Sequence, residues 1–274
     1  MQEIKKVSVL GCGWYGFSLA TTLISKGYVV KGSTTSEDKL PILSTANINP
    51  YLVNFSTDED IYDPRFFKCD ILFISIPPKI RAGNGEEYLI KIQRIIDAIK
   101  HHSVKQIIFI SSTGVYGDVN AEVNELSNPQ PDSTSGQALL QAEHLLKQQN
   151  EFTTTIIRFA GLIGPGRDPG RFLAGKKDIP NGNAPVNLIH LTDCVGISCA
   201  ILTKKTFGYT FNACSTSHPT RAEFYSKAAI LLELDAPQFI MEKKSRKVVS
   251  SIHVDTVLNY KYEVDNLMDW LDKK

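Results

Sequence analysis

The first 160 residues alternate short apolar, β-branched runs with stretches of helical periodicity, and this alternation limits the possible folds more than any other feature of the chain. The runs are 4-IKKVSVL-10, 28-YVVKG-32, 50-PYLVNF-55, 70-DILFISI-76, 105-KQIIFISS-112 and 153-TTTIIRFA-160. Several are apolar almost throughout, as suits parallel strands covered on both faces. Helical patterns fall near 14–26, 36–45, 85–101 and 134–150. The third opens at Asn84 or Gly85, with Glu86 and Glu87 at the positive end of the helix dipole. The expected fold is α/β, a doubly wound parallel sheet of the Rossmann kind.

After Ala160 the texture changes. The segment 161-GLIGPGRDPGRFLAGKKDIPNGNAP-185 is rich in glycine and proline and reads as loop and short helix. A strand-like 186-VNLIHL-191, a helix near 192–203 and 209-YTFNA-213 follow. A further helix starts at about 220, where Thr220 and Glu223 have capping-box spacing. The reading is a binding domain over 1–160, with 190–206 packed back onto it, and a smaller C-terminal substrate lobe over 161–274. The basic stretch 241-MEKKSRK-247 reads as solvated surface.

A chain of 274 residues can bury a full core. Its net charge of +1 supplies no field for nucleic acid or anionic membrane, so neither is an expected partner. Lys5 and Lys6 before an apolar patch imitate a signal peptide, but glycines break the patch at once and it reads better as a strand entering a turn. No apolar run has the length of a bilayer span. The five cysteines are scattered without ligand-like spacing, which predicts reduced thiols, no metal site and a cytoplasmic protein.

Gly11, Gly13 and Gly16 form GxGxxG directly after the first strand. The first glycine permits a tight turn, the second lets backbone approach a pyrophosphate, and the third lets helix pack close to strand. Free N–H groups at the helix start, around Trp14 and Tyr15, then face the phosphates. At the end of the second strand an NAD site usually carries Asp or Glu for the ribose hydroxyls. This chain has Ser33, Thr34 and Thr35 there, which favours NADP over NAD, although no arginine follows to clamp the extra phosphate. Ile76, Pro77 and Ser111, at the ends of the fourth and fifth strands, are further expected cofactor contacts, and the loop 77–87 should overhang them.

The segments 11-GCGWYG-16, 109-FISSTGVYGD-118, 155-TIIRFAGLIGPGR-167, 187-NLIHLTD-193 and 209-YTFNACSTSHPT-220 occur in the order found in the extended short-chain dehydrogenase/reductases, and the chain resembles that family along nearly its whole length. The resemblance implies that Ser112 holds the reacting oxygen. It also implies a catalytic tyrosine and lysine spaced YxxxK on one helix face. A tyrosine near pKa 10 needs such a cation to act near neutrality. Here 129-PQPDSTSGQALLQAEHLL-146 aligns with that helix, and Ser135 and Leu139 stand where the pair belongs. The first lysine of the helix is Lys147, and Ala138, Ala142, Leu145 and Leu146 form the expected buried stripe. This departure resembles the atypical, epimerase/dehydratase-like branch that lacks the pair.

Two functions compete. One is an NAD(P)-dependent oxidoreductase or epimerase with altered acid–base groups, acting on a nucleotide sugar or similar polar small molecule. The other is a non-catalytic NAD(P) sensor. Tyr116 and His190 are the substitute proton donors available to the first. Each also has a plain structural reading, Tyr116 as a loop anchor and His190 as a fixed residue at the lobe junction with Asp193 capping the next helix. The resemblance implies that basic side chains around the lobe crossing, here Arg158, Arg167 and Arg171, grip a diphosphate, with a solvated loop as the plain alternative. The resemblance also implies a homodimer through the helices at 85–101 and 134–150.

Overall fold

The computed structural model describes residues 4–78 and 85–273. The chain divides into two compact units, one made of Met1–Val115, Pro131–Arg158 and Ser198–Thr210, the other of Tyr116–Gln130, Phe159–Ile197 and Phe211–Lys274. The seven-stranded sheet comprises β1 (Lys6–Leu10), β2 (Val29–Thr34), β3 (Asn49–Leu52), β4 (Ile71–Ile74), β5 (Gln106–Ser112), β6 (Thr153–Phe159) and β7 (Thr210–Ala213), in the order β7-β6-β5-β4-β1-β2-β3. The pairs β1–β2, β1–β4, β2–β3 and β4–β5 run parallel. Strand order reverses between β1 and β4, the switch point at whose carboxyl side ligands of such sheets bind.

The helices of this unit include α1 (Trp14–Ser25), α2 (Leu40–Thr45), α3 (Gly85–His101) and α4 (Thr134–Lys147). Ile71, Leu72, Phe73 and Ile74 of β4 are all buried, which accounts for a run with no polar alternation. On α3 the residues Ile92, Ile95, Ile96 and Ile99 make the buried stripe at helical spacing. The run 50–55 is interrupted: β3 stops at Leu52, and Asn54–Phe55 pairs antiparallel with Asp60–Ile61. Asn84 and most of the loop expected to overhang the cofactor lie outside the described residues.

The second unit has a break at Phe159, close to the boundary expected at 160, and also takes in Tyr116–Gln130, which the sequence reading placed in the first domain. Tyr116–Gln130 belongs to it because Ala121–Val123 pairs in parallel with Lys247–Val249. Glu125 strengthens this attachment by accepting the N–H groups of Asn212, Ile252 and His253. Its apolar cluster joins Ile163, Val186, Leu188, Phe224, Ala228, Leu267 and Leu271. The capping box forms as expected at the start of α6 (Arg221–Ile230), which follows α5 (Leu191–Lys204). The basic stretch is not wholly solvated: Lys247 is 16% exposed, donates to the Tyr116 carbonyl at 2.5 Å and lies 3.6 Å from Asp118.

Candidate functional site

The three glycines of the first turn meet three different physical demands. Gly11 has φ +99°, and a Cβ there would lie 2.6 Å from the Ser75 carbonyl oxygen. At Gly16 a Cβ would approach the Gly11 carbonyl to 2.2 Å, so this glycine lets α1 sit against its own entry turn. A Cβ on Gly13 would meet nothing within 4 Å. Gly13 is also the N-cap of α1, contributes no side-chain cap, and precedes a first turn with no acidic residue. The start of α1 at Gly13 therefore opens on clear space, with the positive end of the helix dipole behind it.

That space is a cavity of about 490 Å³ in the first unit, lined by the Gly11–Gly13 turn, by Ser33, Thr34 and Thr35 after β2, and by Ser75, Ile76 and Pro77 after β4. Seven of the expected cofactor contacts thus converge: Gly11, Gly13, Ser33, Thr34, Thr35, Ile76 and Pro77. The hydroxyls are not equivalent. Ser33 is 2% exposed and its Oγ accepts the Gly11 N–H at 2.9 Å, so it fixes the glycine turn. Thr34 Oγ1 accepts the Ser36 N–H at 3.1 Å. Thr35 is exposed on the cavity wall. Sequence reading missed Lys39, Tyr88 and Lys91, which line the same cavity. Tyr88 donates to the Ile76 carbonyl at 3.2 Å, and burial pushes its hydroxyl pKa up. Burial likewise pushes the Cys12 thiol up to about 12.

Trp14, Tyr15, Gly16 and Ser111 do not line this cavity. Tyr15 is 5% exposed and its hydroxyl lies 2.6 Å from Ser198 Oγ, holding α1 to α5. Ser111 donates to Glu143 Oε1 at 2.6 Å. Glu143 in turn accepts from Arg158 Nε at 3.0 Å and from Nη2 at 2.5 Å, an ion pair with side chains 2% and 6% exposed. Arg158 is therefore a buried structural cation and not a diphosphate ligand. On α4 the buried positions are Gly136, Ala138, Leu139, Ala142, Glu143 and Leu146, while Leu145 is only half-buried. The charge in the middle of 153-TTTIIRFA-160 was the available signal, because a buried guanidinium requires a carboxylate nearby.

Ser112 ends β5 half-buried, and its Oγ accepts the Gly114 N–H at 3.1 Å. Gly136 lets α4 close on this turn, since a Cβ there would lie 2.4 Å from the Gly114 carbonyl oxygen. Ser135, which the sequence reading aligned with the tyrosine, is exposed, and Leu139, aligned with the lysine, is 6% exposed.

In the second unit, Tyr116 is 1% exposed, and its hydroxyl lies 2.8 Å from the Asn124 carbonyl and 3.1 Å from Asn212 Oδ1. His190 is half-buried, 3.1 Å from Thr192 Oγ1 through Nδ1, with its ring 5.2 Å from that of Trp270. Asp193 holds the C-terminal segment: it accepts from Tyr260 Oη at 3.0 Å and from the N–H groups of Glu263 and Val264 at 2.7 and 3.0 Å. That replaces the helix-capping role expected from its position. Arg167 and Arg171 are exposed.

A family model described as NAD(P)H-binding matches residues 11–190. Protein YeeZ of Escherichia coli K12 is 36% identical over 267 residues, which cover 95% of this chain and 96% of that protein. Among solved structures, UDP-glucuronic acid 4-epimerase from Bacillus cereus in complex with NAD aligns with a TM-score of 0.80 at 20% identity, over 97% of this chain and 94% of the other. MoeE5 in complex with UDP-glucose and NAD aligns at 0.79 and 19% identity, over 98% and 96%. Likeness at these identities shows the fold alone, a Rossmann-type α/β architecture shared with these structures.

Proposed function

Because the chain belongs to the NAD(P)H-binding family, we propose that it is an NAD(P)-dependent oxidoreductase of the epimerase or reductase type, with NADP preferred and a nucleotide sugar or similar polar small molecule as substrate. The observation that carries this reading is the open N-terminus of α1, where Gly13 leaves the space in front of the helix clear at the switch point of the sheet. Gly11 and Gly16 hold that turn, and Thr35 presents a hydroxyl where a carboxylate would repel a 2′-phosphate. The bound cofactor would supply or accept the hydride. Ser112, at the carboxyl end of β5, is the group we assign to the reacting oxygen. Arg167, Arg171 and His190 are our candidates for substrate contacts. Tyr116 we assign as an anchor, since its hydroxyl is committed to Asn124 and Asn212.

One observation favours the sensor reading: Leu139 stands at the position the resemblance gives the lysine and Ser135 at that of the tyrosine, so the helix supplies no tyrosine–lysine pair there. NADPH fluorescence, followed by absorbance at 340 nm with a panel of sugar nucleotides, separates the two. We expect cofactor binding and a ligand-dependent absorbance change. Binding without any such change across the panel selects the sensor, and absence of binding removes both.

A further inference from the structure

We propose that His102 is a proton-sensitive latch that clasps the end of α3 to the segment 55–67 and makes the wall of the first-unit cavity responsive to pH. His102 follows directly on α3. Its N–H bonds to the Ala98 carbonyl at 3.0 Å, and Ser103, at φ +56°, ends the helix. The imidazole thus enters a box of rings. It stacks on Phe67 with centroids 5.2 Å apart and meets Tyr62 at a right angle at 5.9 Å. Phe55 closes the box, 5.3 Å from Tyr62 and 6.3 Å from Phe67. Phe67 belongs to the single turn Pro64–Phe67, and Phe55 to the hairpin that pairs Asn54–Phe55 with Asp60–Ile61. Inside the box His102 Nε2 is covered and has no hydrogen-bond partner among the described residues.

That geometry favours the neutral ring. A protonated ring would gain cation–π attraction from Phe67, but a buried N–H on Nε2 without an acceptor costs more than this attraction returns. The groups whose charge acts on the ring are His101, 4.7 Å away on α3, and Lys68, next to Phe67, and each repels a second positive charge. The rings facing it from the other two elements, Tyr62, Phe55 and Phe67, bring no carboxylate. Burial first, and these like charges second, hold the His102 imidazole below its ordinary pKa. As pH falls through about 6.5 the unfolded chain takes up a proton that the folded chain refuses. The contribution to stability is therefore complete above that pH and is lost as pH drops toward the lower folded value. Both elements joined by the latch carry cavity residues, Tyr88 and Lys91 on α3, and Val53, Ser56 and Thr57 around the hairpin. Arg94 of α3 makes a second tie, to the Thr57 carbonyl at 2.6 Å and to Asp60 at 3.2 Å. Acid releases the first tie. Its effect on coenzyme rests on the dinucleotide-binding reading above.

Urea unfolding of the full chain at pH 7.5 and 5.5 tests the latch in the wild type, His102→Phe, His102→Gln and His101→Gln. Between those pH values the wild-type folding constant should fall at least about threefold more than that of either His102 variant. The limit is about tenfold, for one imidazole of ordinary pKa near 6.5 that stays neutral when folded. His101→Gln should keep most of the wild-type fall. Calorimetry with NADP+ at the same pH values should show affinity dropping at least about threefold more in the wild type than in His102→Phe, a comparison that cancels titration of the coenzyme's own phosphate. Equal pH dependence in the wild type and a folded His102 variant overturns the latch, and so does a fall that disappears in His101→Gln. The two His102 variants keep the test intact if one misfolds. A His102-dependent fall in stability with NADP+ affinity equally pH-dependent in every protein overturns the link to the cavity. Failure of NADP+ to bind at pH 7.5 overturns the dinucleotide reading, and unfolding still decides the latch.

Discussion

Replacing Gly13 by aspartate should leave the protein folded and remove its affinity for dinucleotide, because fold and ligand make opposite demands on that position. Gly13 has φ −80° and ψ −157°, a conformation open to any residue, and an added Cβ would meet no atom within 4 Å. As the N-cap of α1, an aspartate is the stronger capping residue, so stability should hold or rise by about a few tenths of a kcal/mol. For a chain of this size that is a shift in Tm of roughly 1 °C. The same carboxylate would enter the clear space in front of α1, where the proposed pyrophosphate would sit. Two like charges about 4 Å away cost about 2 kcal/mol at the dielectric of water and more in a cleft, or at least roughly 30-fold in Kd. Gly16→Ala should do the reverse. Its Cβ would lie 2.2 Å from the Gly11 carbonyl, so the turn must shift, at about 1–3 kcal/mol, while no charge enters the cleft. NADPH fluorescence titration beside thermal melts reads both axes. Gly13→Asp binding within threefold of wild type, or unfolding at room temperature, would refute the assignment of the turn.

Arg158→Met alone should destabilise the protein by about 3–5 kcal/mol by stranding the Glu143 carboxylate, whereas Arg158→Met with Glu143→Leu should recover most of that loss in urea titrations. A single variant costing no more than the double would show that the pair is not the buried unit described. Tyr116→Phe should lower stability by about 1 kcal/mol for the lost hydrogen bond and leave any turnover within a few-fold. A drop of about 10²–10⁴-fold in rate would instead mark Tyr116 as the acid. Cys12, with its thiol pushed up to about 12, should be alkylated at pH 8 on the order of 10³-fold more slowly than an ordinary thiol. Because the neutral form is the one favoured, its rate should climb with each added pH unit up to that value, and labelling that plateaus near pH 9 would contradict it.

What could be read from the sequence was whatever the backbone or double-sided burial dictates locally. Gly11 must take positive φ and Gly16 must admit a carbonyl at contact distance whatever lies elsewhere, so the turn was visible in six residues. β4 was visible for a similar reason, since a strand covered on both faces has no polar positions to spare. The misses are all long-range pairings. Residues 116–130 read as part of the first domain because nothing nearby indicates that 121–123 pairs with 247–249. Helical periodicity put Leu145 in the buried stripe, where it is only half-buried, and left out Glu143, which is buried against Arg158 of another element. Arg158 itself was noticed and given the wrong partner, a diphosphate, because its carboxylate lies on another element. Lys39 and Lys91 escaped because only the fold brings the turn after β2 and α3 to one cavity.

The proton-transfer apparatus is where local and long-range information meet. At Ser135 and Leu139 the sequence alone removes the usual pair, and burial of Leu139 leaves no room for a solvated cation there. The fold then withdraws the nearest substitute, because using the Tyr116 hydroxyl would mean breaking its bonds to Asn124 and Asn212 in a site 1% exposed. Positioned acid–base catalysis contributes about 10²–10⁴-fold, while orientation of bound reactants can contribute effective molarities of about 10⁵–10⁸ M. The geometry retained in the first unit, a clear helix terminus and a hydroxyl at the end of β5, belongs to the second and larger contribution. Hydride transfer in this chain would accordingly depend on how the cofactor is held, with the proton carried by the substrate or by water.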